Sequence, residues 1–192
     1  MSGQPVRTLR IACLGWGSLI WDPRSLPIRS EWFKDGPFAP VEFTRWSFDG
    51  RMTLVIDPRA TPRRLLWAHM LPVDLSVARE SLRDRERIPQ ADCASRIGSW
   101  QLGGAAPVHI PDLPEWAEAQ GLDAAIWTAL GPQFRGEDRS PSIDEVIGYL
   151  RGIDGLIREQ AKQYVERTPR QIDTDYRHQI EAALGWSCKD DF

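Results

Sequence analysis

Along the first third of the chain, apolar residues fall mainly in short continuous runs. Arg10 to Leu14 reads as a buried strand that runs straight into Gly15-Trp16-Gly17-Ser18-Leu19, where two glycines permit backbone angles and close approaches that other residues do not. Val41 to Phe48 and Met52 to Ile56 flank Asp49-Gly50, a dipeptide suited to the positive φ angles of a two-residue hairpin turn. Leu65 to Leu71 and Ala124 to Leu130 are further runs of strand length, and Val108 to Ile110 is a shorter one. Five or six strands are expected.

Helical spacing dominates the rest. Asp74 is placed to cap a helix over Leu75 to Arg87, and Ser140-Pro141-Ser142-Ile143-Asp144-Glu145 offers either a capping box or a proline at the first helical position. After it, Ile143, Val146, Ile147, Leu150, Ile153, Ile157, Ala161 and Tyr164 keep one helical face, which predicts a single long helix with Tyr164 in its core packing. Gly148, Gly152 and Gly155 within it either admit another backbone or break it, and we read them as close packing. A last helix over Asp175 to Leu184 ends at Gly185 as a left-handed cap would, while Gly103 to Pro114 and Gly131 to Pro141 read as loops. The fold class is α+β.

Composition narrows the function. A chain of 192 residues, 42% hydrophobic, fits one domain over positions 1–192 with room for a core. A net charge of -3 and a pI near 5.7 give no positive field to hold phosphate, so no nucleic-acid partner is expected. The apolar runs are far short of the roughly 20 residues that cross a bilayer, so no membrane partner is expected either. Met1 to Arg10 has no apolar segment followed by a small-residue cleavage pattern, which points to the cytoplasm. Cys13, Cys93 and Cys188 are scattered, as are His69, His109 and His178, and read as reduced thiols and ordinary histidines without metal-ligand spacing. Among 24 basic residues only Lys34, Lys162 and Lys189 are lysines, an arginine bias that genome composition explains as readily as anion binding. The oligomeric state is not legible.

The loop after the first strand resembles two known motifs superficially and fits neither. A dinucleotide fingerprint requires glycine at position 20, which is Ile20, followed by a helix, whereas Pro23 and Pro27 follow here. A nucleophile elbow requires glycines at the places held by Trp16 and Ile20, so Ser18 is a poor nucleophile. What remains is either a plain tight turn or a nest of backbone N–H groups suited to a carboxylate or an oxyanion. On a helical wheel Ala78, Leu82 and Glu86, each four positions after the last, fall along the same side as Leu75. Glu86 therefore shares the apolar face, while Glu80 and Asp84 lie opposite. A carboxylate facing a core is costly unless paired or protonated, which makes Glu86 the candidate general acid/base. The alternative is that Glu86 emerges to solvent in the last turn or pairs with Arg79 or another arginine.

Three segments carry a family likeness. Leu14-Gly15-Trp16-Gly17-Ser18-Leu19-Ile20-Trp21-Asp22-Pro23 resembles the FGYGSLIWxP loop of the ChaC-type branch of the γ-glutamylcyclotransferases. Arg59-Ala60-Thr61-Pro62 resembles that branch's RGTP segment, and Leu82-Arg83-Asp84-Arg85-Glu86 its LDxRE segment. The resemblance implies a small mixed β-barrel with flanking helices, no cofactor, and cyclisation of a small-molecule γ-glutamyl compound, glutathione among them, to 5-oxoproline. It also implies that Glu86 is catalytic and that Gly15, Trp16, Gly17, Ser18, Leu19, Ile20 and Trp21 form the γ-glutamyl pocket. Trp16 stands where the family has tyrosine, and Arg87-Ile88-Pro89 where it has Gly-Gly-Tyr, which leaves the leaving group open. Arg59, Arg63 and Arg64 form a compact basic group beside a motif and, if they line the pocket, favour anionic γ-glutamyl peptides. The rival is a non-catalytic γ-glutamyl-binding or interaction domain on the same fold.

Overall fold

Strand β1 (Ile11–Gly15) is buried along its whole length, as its apolar sequence requires. The computed structural model describes residues 8–72 and 74–189. In it β1 is an inner strand of a four-stranded sheet of order β5-β1-β7-β6, with β5 spanning Leu66–His69, β6 Ile97–Gln101 and β7 Ala124–Thr128. β1 runs parallel to β7, and the other two pairs are antiparallel. Successive side chains alternate between faces. Ile11, Cys13, Ala124 and Ile126 meet Ala78 and Leu82 of helix α1 (Leu75–Glu86). Ala12, Leu14, Ala125 and Trp127 enter the larger core on the other side.

A second sheet completes that larger core. β2 (Phe38–Trp46) lies between β3 (Met52–Ile56) and β4 (Pro62–Arg64), all antiparallel, with a bulge between Phe43 and Arg45. The chain passes from β4 into β5 through Leu65, whose N–H donates to Pro37 O, so one continuous segment joins the two sheets. No ladder joins β3 to β6 among the described residues, and the barrel implied by the family resemblance is not closed. The outward edge of β3 is met by side chains instead. The Leu54 N–H donates to Tyr164 Oη at 3.2 Å, and Trp16 Nε1 donates to Leu54 O at 3.2 Å. Backbone groups that a missing strand would have paired are thereby satisfied.

Helices α2 (Cys93–Arg96), α3 (Leu113–Ala119), α4 (Ile143–Gly152), α5 (Gly155–Arg167) and α6 (Asp175–Leu184) complete the α+β fold. Asp74 caps α1 by accepting from Ser76 N and Val77 N, Ser142 and Glu145 form the expected capping box, and Gly185 ends α6 at φ 69°. None of the helices among the described residues is long and apolar enough to cross a membrane.

Several expectations are corrected. The predicted long helix is two helices: Ile153 is extended at ψ 149° and Gly155 takes φ +51°. A Cβ on Gly148 or Gly152 would meet nothing within 4 Å, so these glycines are not packing contacts. The hairpin turn is wider than two residues, because Ser47 N bonds Arg51 O and the Ser47 hydroxyl bonds Asp49 and Arg51. Val108 to Ile110 is turn rather than strand, and the Gly103 to Pro114 loop gives way to α3 at Leu113. β4 and β6 escape the periodicity because β4 is polar and β6 carries Gly98, whose missing Cβ leaves room for the Trp127 ring 2.2 Å from where that atom would lie.

Candidate active site

The parallel pair β1 and β7 ends on the same side of its sheet, the position where open α/β sheets commonly bind ligands. A cavity of about 720 Å³ lies there, within the range of small-molecule sites. Gly15 to Leu19 line it from the end of β1, Thr128 and Leu130 from the end of β7, Thr53 to Val55 from β3, and Glu86 from the last turn of α1. Of the sequence candidates, Gly15, Trp16, Gly17, Ser18, Leu19 and Glu86 thus share one cavity. Ile20 and Trp21 are not among its lining residues. Bonds from Ile20 N to Gly17 O and from Asp22 N to Ser18 O close a turn. Ile20 is buried in the core, and Trp21 packs edge-on against Tyr164.

The N–H groups of Gly17, Ser18 and Leu19 have no hydrogen-bond partner among the described residues. Gly17 is required by a close approach: a Cβ there would lie 2.4 Å from Tyr164 Oη. Tyr164 lines the cavity from α5, and burial pushes its phenol pKa up, so it stays a neutral donor and acceptor.

Glu86 is the last residue of α1, because Arg87 adopts the left-handed conformation at φ 55° and ends the helix. A carboxylate at a helix C-terminus is opposed by the helix dipole and needs a local cation. Arg85 supplies it, with Nη1 2.7 Å from Glu86 Oε1. Thr128 Oγ1 donates to the same oxygen at 3.5 Å, whereas Oε2 has no partner among the described residues. The Glu86 side chain is 19% exposed and the Arg85 side chain 4%. Arg85 is fixed in turn by Asp22 O, at 3.2 Å from Nε and 2.6 Å from Nη2, and by Ser18 Oγ at 3.3 Å. One buried guanidinium therefore ties the general-base candidate to the N–H loop. The sequence left open a pairing with Arg79 or another arginine: the partner is Arg85, and Arg79 donates to Cys93 O and Ile97 O.

Other nucleophiles are poorly placed. The Ser18 hydroxyl faces a guanidinium rather than a base. Burial, and then the charge of Glu86, push the Cys13 thiol pKa up, so it is not a thiolate. Among the described residues no cluster of three or more His, Cys, Asp or Glu is arranged to hold a metal ion.

The expected arginine clamp is not at the cavity. Arg59 pairs with Asp57, Arg63 pairs with Asp175 at 3.0 Å, and Arg64 lies over the Phe38 ring. Arg63 and Arg64 are neighbours on β4, and successive strand residues point to opposite faces. The arginines that do line the cavity, among them Arg45, Arg85 and Arg96, come from β2, α1, α2 and the loops between elements and share no sequence motif.

No family model and no curated protein matches the chain. Among solved structures it is similar to a crystal structure of a γ-glutamyl cyclotransferase specific to glutathione from yeast. The identity is 14% over 92% of this chain and 98% of that one, with a TM-score of 0.48. A likeness at that level assigns no activity.

Proposed function

We propose that this chain cyclises a γ-glutamyl compound to 5-oxoproline and releases the amine. The observation that carries this reading is the single cavity shared by a half-satisfied carboxylate, Glu86, and the N–H groups of Gly17 to Leu19, which have no partner among the described residues. The motif resemblance in those same two segments supports it.

In the reaction the substrate's α-amine attacks its own γ-carbonyl carbon, a five-membered ring closure already favoured by proximity. Glu86 Oε2 takes the proton lost by the attacking nitrogen, while Arg85 and Thr128 hold Oε1 and fix the carboxylate's direction. The tetrahedral oxyanion and the α-carboxylate are received by the N–H groups of Gly17 to Leu19. Glu86 then protonates the leaving nitrogen, the C–N bond breaks, and the carbonyl re-forms in the ring. Acid/base help is worth roughly 10²–10⁴-fold and each oxyanion donor roughly 10²–10³-fold, added to what proximity gives the ring closure. The test is 5-oxoproline release from γ-glutamyl dipeptides, followed by mass spectrometry, with wild type and Glu86→Gln. Release that vanishes in the variant supports the reading. Binding of γ-glutamyl compounds with no release by wild type moves it to the binding domain.

A further inference from the structure

The cavity carries more positive charge than this chemistry uses. Six arginines line it, Arg24, Arg45, Arg51, Arg85, Arg87 and Arg96, against two carboxylates, Asp49 and Glu86. Arg85 is paired with Glu86, Arg51 with Asp49, Arg24 with Asp22 and Arg96 with Asp92. Arg45 and Arg87 have no ion-pair partner among the described residues.

Arg45 is the more telling of the two. It is half-buried at the β2 bulge, and its Nη1 donates to Gly131 O at 2.8 Å. Burial, and after it the charge of Arg96, push its pKa down, while Asp138 opposes them from beyond ion-pair range. Taking part of a guanidinium's water away beside a like charge costs free energy that a bound anion offsets. The segment that anchors both arginines starts at Thr128, the partner of Glu86: Arg45 bonds Gly131 and bridges to Gln133, and the Arg96 carbonyl accepts from Ala129 N.

We infer that Arg45, Arg87 and Arg96 form an anion site for the leaving group, and that the substrate class is a γ-glutamyl compound whose released amine carries two negative charges, as an acidic amino acid does. The inference rests on the proposed cyclisation, in which the N–H groups of Gly17 to Leu19 take the α-carboxylate and leave the arginines to the other end. A neutral amine leaves both Arg45 and Arg87 without a counter-ion, a single carboxylate compensates one, and an acidic amino acid compensates both. Guanidinium forks hold carboxylates in bidentate pairs, which adds direction to the charge match.

The experiment compares kcat/KM for γ-glutamyl-glutamate, γ-glutamyl-glycine and γ-glutamyl-ethylamide. Wild type is expected to lose about tenfold with each charge removed, less at high salt. Arg45→Gln is expected to lose at least about tenfold more on γ-glutamyl-glutamate than on the ethylamide, with partial rescue by Arg45→Lys. Arg87→Gln, at an exposed position, carries the same comparison if Arg45→Gln does not fold. Equal kcat/KM for the three compounds, or an equal loss on all three in the variants, overturns the inference. If wild type cyclises none of them, the proposed reaction fails, and calorimetric titration with γ-glutamyl-glutamate and the ethylamide judges the anion site alone. Charge-dependent binding that Arg45→Gln abolishes supports it, and equal binding of both compounds overturns it.

Discussion

Two inward carboxylates, Glu42 and Glu86, sit at opposite ends of helices. Glu42, on β2, is 4% exposed and lies at the start of α6, where it accepts from the Thr174 hydroxyl, Tyr176 N and Phe43 N. Both of its oxygens are used, and the donors of a helix N-terminus supply the compensation. Glu86 lies at a helix C-terminus, lines the cavity, and has one oxygen engaged by Arg85 and Thr128 and the other without a partner among the described residues. Burial alone does not separate a structural acid from one proposed to do chemistry. What separates them is whether the fold has used up the carboxylate's hydrogen-bonding capacity.

The largest expected effect is on turnover at Glu86. Glu86→Gln keeps an oxygen for Arg85 Nη1 but removes the base, so 5-oxoproline release should fall by roughly 10²–10⁴-fold, with a melting temperature close to wild type. Loss of folding in this variant would make Glu86 a structural carboxylate like its counterpart and erase the contrast. Glu86→Asp separates charge from position: withdrawing the carboxylate by one methylene should reduce kcat by about 10²-fold. An unchanged kcat would mean that Glu86 acts only as a local charge.

Glu42→Ala should do the reverse. It strips three donors of their acceptor, two of them at the start of α6, and should cost about 3 kcal/mol of stability measured by urea unfolding. At a temperature where the variant is folded, kcat/KM should stay within about twofold of wild type, since Glu42 is not a cavity residue. A large kcat loss in a folded Glu42→Ala would break the distinction.

The contrast is only half legible in the sequence. Helical periodicity puts Glu86 on the inner face of α1, and the glycines mark the loop it shares a cavity with. The same wheel places Arg85 beside Ala78, seven positions and nearly two full turns away, so the signal for the buried arginine is present and is obscured by the habit of reading arginine as solvent-facing. Glu42 is invisible for a different reason. Strand alternation puts Val41 and Phe43 on one face and Glu42 and Thr44 on the other, which reads as a solvated face until α6 covers it. Periodicity gives Tyr164 to core packing within a single long helix. The break at 153–155 starts α5 afresh and brings that hydroxyl to the Leu54 N–H and the Gly17 loop. The cavity arginines come from β2, α1, α2 and the loops between elements, and only tertiary structure brings them together.

The smallest expected effect is a pH slope that belongs to Glu42 alone. Burial raises its pKa above the ordinary 4.5, against the hydrogen bonds from Thr174, Phe43 and Tyr176 that pull it down. Between 4.5 and that raised value, the folded chain holds a proton the unfolded chain has released, so stability falls as pH rises through this window and is level above it. Other acids act with the opposite sign: the Arg139 and Ser142 contacts hold Glu145 down to about 2, and Ser76 and Val77 lower Asp74, so their stabilisation is lost as pH falls. These contributions are common to wild type and Glu42→Gln and cancel in the difference. Glutamine keeps an acceptor for Thr174 but turns an amide toward the Tyr176 N–H, so the variant starts out less stable. Urea unfolding of both proteins in steps from about pH 4.5 to about pH 7 should therefore show the wild-type advantage shrinking as pH rises. A constant difference would mean that the donors around Glu42 fully offset its burial, and would place it closer to an ordinary surface acid than to the enclosed group described above.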